Sequence, residues 1–190
     1  MIRLPEYTLK HGGGCDPAIK WLGGKSYRDA YETCPRGDWL LWLVHELKID
    51  LRKIALAACE CIELGYKFLP DGEYRARIAV ETWRAWVRGE ATLEEVRSAA
   101  DAAHAAFQEG RRTPGSRILL ASWAIDKFPH AIPKYLSGID PEKSTDIMRQ
   151  CADIVRKHIT WGDIEPLVTT IEKAQPDTPP ENLYDLDFEE

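Results

Sequence analysis

Three arginines surround a short loop in the second half of the chain, and their type and spacing favour binding of an anion. Arg111, Arg112 and Arg117 lie within seven residues, and Ser116 can cap the helix predicted to follow. The first amides of a helix point outward, and positive side chains beside them hold phosphates or carboxylates. These four residues form a candidate anion-binding site, and the simpler interpretation is a solvated loop.

Asp38 and His45 are the second pair of chemically interesting residues. They lie two turns apart on one side of a predicted helix, so a carboxylate and an imidazole face the same way. A hydrolase-like site uses such groups for proton transfer. The simpler interpretation makes Asp38 the N-cap of a buried helix and His45 a boundary residue. We therefore predict a protein that is not an enzyme.

Two glycine-rich segments resemble catalytic loops but lack the residues that complete them. Residues 23–26 end like a phosphate-binding P-loop, but Ile19 stands where that pattern needs a glycine, and the preceding residues predict a helix. Residues 11–14 resemble the oxyanion loop of esterases, but the chain has no Gly-x-Ser-x-Gly elbow. Neither segment predicts a catalytic site or a cofactor.

Histidine and cysteine spacings predict neither a metal site nor a disulfide framework. The cysteines are odd in number, which favours reduced, partly buried thiols in a cytosolic protein. No histidine has another histidine three or four residues away. The five cysteines are Cys15, Cys34, Cys59, Cys61 and Cys151, and the five histidines are His11, His45, His104, His130 and His158.

Residues 176–190 differ in composition from the rest of the chain. They contain six acidic residues and no Lys or Arg, so they account for the whole formal net charge of −6. The segment is predicted to be disordered on its own. Apolar side chains nevertheless interrupt the acids, which suits docking on a basic partner, docking on the chain's own body, or plain disorder. The candidate partner-binding residues are Leu183, Tyr184, Leu186 and Phe188.

The charge distribution and hydropathy exclude two classes of partner. A body without net charge argues against generic nucleic-acid binding, which needs a basic face. The longest apolar stretch, residues 39–44, is far shorter than the roughly 20 residues that a membrane span needs. We see no signal peptide and predict a cytoplasmic protein that binds neither nucleic acid nor membrane.

Helical periodicity and caps predict about eight or nine helices and an all-α fold. We expect an extended N-terminal arm and glycine-rich loop at residues 1–15, a single compact helical domain at 16–175, and an acidic tail at 176–190. Pro129 and Pro133 are expected to limit regular structure between them. The predicted helices cover, approximately, residues 16–22, 26–33, 38–47, 50–69, 73–88, 92–108, 116–128, 140–159 and 163–174.

Three of these helices should form most of the core. The helix at 38–47 has almost no polar face, so Trp39 and Trp42 are expected to be largely buried. The helix at 50–69 carries two apolar stripes, which places it centrally between neighbours. The alanine-rich helix that starts at Thr92 is expected to pack against the helix of Trp83.

Segments 34–43 and 152–161, together with the alanine-rich segment 89–106, resemble a loose group of uncharacterised helical proteins of bacteriophages and bacteria. Some of these are labelled as immunity proteins. The similarity covers roughly residues 10–170 and excludes the acidic tail. The resemblance implies a small, phage-borne cytoplasmic protein that binds and neutralises another molecule, and it brings no catalytic residues with it.

We therefore expect a non-enzymatic binding protein of the inhibitor or immunity type, which neutralises a toxin or a host-defence component by occlusion. The alternative is an oligomer that sequesters a small, nucleotide-like anion at Arg111, Arg112 or Arg117. A protein partner distinguishes the first hypothesis, and a copurifying anion the second. No cofactor is predicted.

Overall fold

A computed structural model describes residues 16–109, 113 and 115–174. These residues form ten α-helices and two short 3-10 helices, without a strand among them, so the predicted all-α class is confirmed. Within the same residues, every helix falls short of the length and apolarity that spanning a membrane requires. The described residues divide into two compact units, residues 16–33 with 161–174, and the described part of residues 34–160.

The first unit contains three of the described helices, α1 (Asp16–Leu22), α2 (Tyr27–Thr33) and α10 (Trp161–Ala174). Gly23 and Gly24 adopt positive φ angles of 47° and 80° and turn the chain between α1 and α2. Ser26 caps α2 as predicted, because its Oγ accepts a hydrogen bond from the Asp29 amide at 3.0 Å. Helix α2 packs against α10, where the Tyr31 and Trp161 rings lie 6.5 Å apart.

The second unit contains seven helices, with α4 in contact with five others. Its predicted central position is confirmed, because α4 packs against α3, α5, α7, α8 and α9. The 3-10 helices follow α4 (Tyr66–Phe68) and precede α9 (Pro141–Lys143). The seven helices are α3 (Gly37–Glu46), α4 (Leu51–Glu63), α5 (Arg75–Val87), α6 (Leu93–Glu109), α7 (Ser116–Trp123), α8 (Ala131–Ser137) and α9 (Ser144–His158).

A cluster of charged side chains joins the central helix α4 to α9. The Lys157 ammonium donates to both carboxylate oxygens of Glu60, at 2.7 and 2.8 Å, and the His158 Nε2 lies 2.7 Å from the same carboxylate. Burial alone would raise the pKa of Glu60, but the hydrogen bonds from Lys157 and His158 outweigh it and lower the pKa. The cluster therefore keeps Glu60 ionised at the α4–α9 contact.

Helix α8 was not predicted, because Pro133 was expected to limit regular structure there. Pro133 is the third residue of the helix. The amides of the first turn have no partner within a helix, so proline removes no hydrogen bond at this position. A helix with an early proline therefore forms without the usual cost.

Helix α3 differs from its prediction at both of its tryptophans. Leu40, Leu41 and Val44 are buried, but Trp39 and Trp42 are only half-buried, so their predicted extensive burial is wrong. The Trp39 ring lies against the Arg36 guanidinium, 4.9 Å from its centroid. This cation–π contact holds an aromatic side chain at the boundary rather than in the core.

Close packing of α3 against α9 depends on Gly37. A Cβ at this position would overlap the Cβ of Cys151 and come within 2.9 Å of the Ala152 amide nitrogen. We expect Gly37→Ala to lower the free energy of unfolding by about 1–3 kcal/mol, because backbone atoms must move apart. Chemical denaturation monitored by circular dichroism measures this change.

Gly138→Ala is the matched control for that substitution. A Cβ at Gly138 would also overlap a neighbour, but that neighbour is the guanidinium of Arg117 at the end of a flexible side chain. The Arg117 side chain can rotate away, so we expect a change within about 0.5 kcal/mol. Equal destabilisation by the two substitutions would show that the α3–α9 backbone contact does not cause the destabilisation by Gly37→Ala.

Candidate functional site

The structure describes two of the four residues of the predicted anion site, Ser116 and Arg117. Arg111 and Arg112 lie outside the described residues. Ser116 is the first residue of α7 and not its cap, which is Gly115, and its buried hydroxyl donates to the Thr113 carbonyl at 2.6 Å. The predicted capping role of Ser116 is therefore wrong. Its hydroxyl faces back into the loop because the helix begins one residue earlier than the cap prediction required.

The surroundings of Ser116 also disfavour an anion. A cavity of about 330 Å³ beside it is lined by Glu73, Glu109 and Arg75, so two carboxylates face one guanidinium. Arg75 donates to Glu73 at 2.7 Å and lies 3.4 Å from Glu109, and its hydrogen bonds lower the pKa of Glu73. The remaining predicted residue, Arg117, is exposed and lies over Gly138.

Asp38 and His45 each contact a neighbouring charged residue in the structure. Asp38 is not an N-cap, because α3 begins at Gly37 after Arg36, and the prediction is wrong in this respect. Its carboxylate is 1% exposed and accepts two hydrogen bonds from the Arg36 guanidinium, at 2.8 and 2.7 Å. His45 is partly exposed, with its Nδ1 3.8 Å from Glu46. A carboxylate committed to two strong donors is a poor general base.

Four cysteines of the described chain are free thiols, and all four are buried. Burial raises the pKa of Cys34 to about 11 and that of Cys59 to about 12, and it raises the pKa of Cys61 well above its usual value. A thiol that stays protonated at neutral pH is a weak nucleophile and a weak metal ligand. These cysteines therefore act as core residues.

Metal-ligating side chains are scattered over the described helices. In residues 16–109, 113 and 115–174, no three His, Cys, Asp or Glu side chains converge as a metal site requires. His104, for example, stacks on the Trp123 ring at 4.4 Å and lies next to Phe107. An imidazole held between aromatic rings contributes to packing.

An open groove lies between α5 and α6 in the second unit. The five-residue connection 88–92 makes these helices an antiparallel pair. Gly89 ends α5 with a φ of +78°, and Thr92 and Glu95 form the predicted capping box that starts α6. The groove measures about 800 Å³ and runs beside residues 77–88, about 17 Å at the helical rise.

Five of the eleven residues that line the groove are alanine or serine, and one large apolar side chain stands at one end. Ile78 is 53% exposed and Tyr74, one turn earlier on the same side of α5, is 62% exposed. The small lining residues are Ala85, Ala91, Ser98, Ala99 and Ala102. An alanine-lined groove allows another backbone to approach closely.

Charged residues of both signs border the groove. The Arg77 guanidinium lies 4.2 Å from the centroid of the Tyr66 ring. Glu81 contacts Arg84 at 3.3 Å, and Arg88 contacts Glu90 at 2.7 Å. Glu81, Arg88 and Glu90 are exposed, so their ion pairs contribute little to stability and their charges can pair with those of a partner. The border therefore resembles the polar rim of an interface.

Sequence reasoning missed this groove. It predicted α6 and its contact with α5, but alanines occur all round α6, and the pattern does not distinguish the buried Ala100, Ala103 and Ala106 from those that line the groove. The exposed Ile78 was the available signal, because an isoleucine next to Arg77 interrupts an otherwise polar helix face.

No family model, curated protein or solved structure matches this chain. The resemblance of residues 10–170 to phage and bacterial immunity proteins therefore stays a prediction, and the site rests on its geometry alone. The predicted partner-binding residues of the tail, Leu183, Tyr184, Leu186 and Phe188, lie outside the described residues and also stay predictions.

Proposed function

We propose that this chain is a non-enzymatic binding protein of the inhibitor or immunity type, and that the α5–α6 groove receives an amphipathic helix of its protein partner. The observation that carries this proposal is the combination of an open, alanine-lined groove with the exposed Ile78 at one end. Occlusion of a functional helix would neutralise the partner without any reaction.

A helix fits the groove better than an extended peptide does. The groove follows about three helical turns, and its small side chains let a third helix approach to the usual 8–10 Å between axes. An extended peptide binds by pairing with an open strand edge, and the described residues contain no strand. The partner helix should carry an apolar stripe that covers Ile78, which stabilises the complex by about 1 kcal/mol.

The charges on the border define the flanks of that stripe. Arg77 and Arg88 alternate with Glu81 and Glu95 along the two helices. We expect acidic residues of the partner next to the arginines and basic residues next to the glutamates. Because both signs are present, added salt should slow association only modestly.

Ala102→Arg is the substitution that tests the groove, and Ala105→Arg is its matched control. Both alanines are exposed on α6, but only Ala102 lines the groove. We expect Ala102→Arg to weaken partner binding at least about 100-fold, because its long charged side chain fills the space that the partner helix would occupy. We expect Ala105→Arg to change the affinity less than about threefold. A photoreactive amino acid at position 102 first captures the partner in native cells. Calorimetry with the purified partner then gives its affinity for each of the two variants.

Two outcomes would contradict the proposal. Equal loss of affinity in the two variants would place the interface elsewhere. A cross-link at position 102 that joins two copies of this chain, with a dimer in sedimentation that Ala102→Arg dissociates, would make the groove a self-association surface. Unfolding of the variants would not produce either outcome, because both substitutions are at exposed positions.

The alternative function, an oligomer that sequesters a nucleotide-like anion, has weaker support at its predicted site. Ser116 is engaged with Thr113, and Glu73 and Glu109 line the neighbouring cavity. A phosphate there would meet two carboxylates. We therefore give preference to the protein partner, with the family resemblance as secondary support for a toxin or a host-defence component as that partner.

A further inference from the structure

A second cavity in the unit of residues 34–160 has a different chemical character. It measures about 400 Å³, within the range of small-molecule sites. Its walls come from the segment before α3, from α8 and from the start of α9. The lining residues are Pro35, Arg36, Lys134, Ser137, Ser144, Thr145 and Met148, among which there is no carboxylate.

Two cations are held together at this cavity by a buried acid. The Asp38 carboxylate is 1% exposed and accepts from Arg36 at 2.7 Å, and it also lies 3.9 Å from the Lys134 ammonium. That second distance is too long for a hydrogen bond, so Asp38 attracts Lys134 without occupying its three donors. One carboxylate facing two cations leaves a local charge of +1 beside the cavity.

Hydroxyl groups complete the polar wall. Ser144 and Thr145 are the first two residues of α9, and both are accessible. Ser137, at the end of α8, donates its hydroxyl to the Lys134 carbonyl at 3.1 Å, which fixes the backbone that carries Lys134. Pro35 and Met148 supply an apolar wall on the same cavity. Cation, hydroxyl and apolar groups therefore converge from three segments.

We propose that this cavity binds a small phosphate monoester, independently of the α5–α6 groove. Arg36 and Lys134 neutralise the phosphate, and the hydroxyls of Ser144 and Thr145 donate to its oxygens. The cavity is larger than a phosphate, so Pro35 and Met148 contact the organic part of the ligand. A dianionic phosphate gains more from the two cations than a carboxylate does, because its charge is about twice as large.

Calorimetry with AMP, inorganic phosphate and adenosine tests the site. We expect AMP to bind more tightly than inorganic phosphate and adenosine to give no measurable binding. Lys134→Gln should weaken AMP at least about tenfold, because it removes a charge-assisted contact from an exposed side chain. Lys67→Gln, which removes an exposed lysine outside the cavity, should leave the AMP affinity unchanged.

Absence of binding with both AMP and inorganic phosphate would overturn the proposal, as would equal AMP affinity in Lys134→Gln and the wild type. Ala102→Arg separates this site from the protein-binding groove. That variant should keep the AMP affinity of the wild type, since Ala102 lies in the groove and not in this cavity. Loss of AMP binding in Ala102→Arg would contradict two independent sites.

Discussion

Trp83→Ala is expected to lower the free energy of unfolding by about 3–5 kcal/mol. The side chain is 1% exposed and packs edge-on against Trp86, with the ring centroids 5.5 Å apart. Its removal leaves a cavity in α5, the helix that packs against α4, α6 and α7. Urea denaturation, followed by circular dichroism so that the loss of a tryptophan does not affect the signal, measures the change.

Trp42→Ala is the matched control, because it deletes the same side chain from a half-buried position. We expect a loss of about 1–2 kcal/mol there, since part of the side chain is already in contact with water. A larger loss for Trp42 than for Trp83 would mean that α3, and not α5, is the better-packed helix. In that case α5 would be too loosely packed to serve as a rigid wall of the proposed groove.

Arg36→Ala is expected to cost about 2–3 kcal/mol, because it leaves the buried Asp38 carboxylate without its two hydrogen bonds. This cost is at or below the lower end of the range for breaking a buried ion pair, because Arg36 is 38% exposed and Lys134 stays 3.9 Å from Asp38. The effect appears in the same denaturation measurement.

The double variant Arg36→Ala with Asp38→Asn separates loss of the pair from loss of packing. Asparagine has no charge to bury, so the double variant should be more stable than Arg36→Ala alone. If the two substitutions instead destabilised additively, the arginine would act through its contact with Trp39 rather than through the carboxylate. The AMP site would then lack the acid that holds its cations.

Local signals in the sequence predicted local structure well. Ser26 and the Thr92–Glu95 box were recognised as caps because every partner lies within three residues. Asp38 is also of a residue type that caps helices and stands near the start of α3, but its carboxylate accepts hydrogen bonds from Arg36, two residues earlier. A cap and a short-range ion pair look alike in sequence, since both place an acid at the start of a helix.

Long-range arrangement explains what sequence reasoning missed. Lys134 lies beside the Arg36–Asp38 pair because α8 packs against α3. Helix α8 itself was not predicted from the sequence. The groove depends on the rotation of α6, which decides that Ala100 is buried and Ala102 is exposed. Both alanines have the same propensity, so only the packing of neighbouring helices distinguishes them.

The most direct test of the protein-binding groove is hydrogen–deuterium exchange of the chain alone and with the partner captured at position 102. We predict that binding slows exchange in residues 77–88 and 91–102 and leaves residues 37–46 unchanged. Slower exchange in residues 37–46 without any change in α5 and α6 would contradict the groove as the binding site.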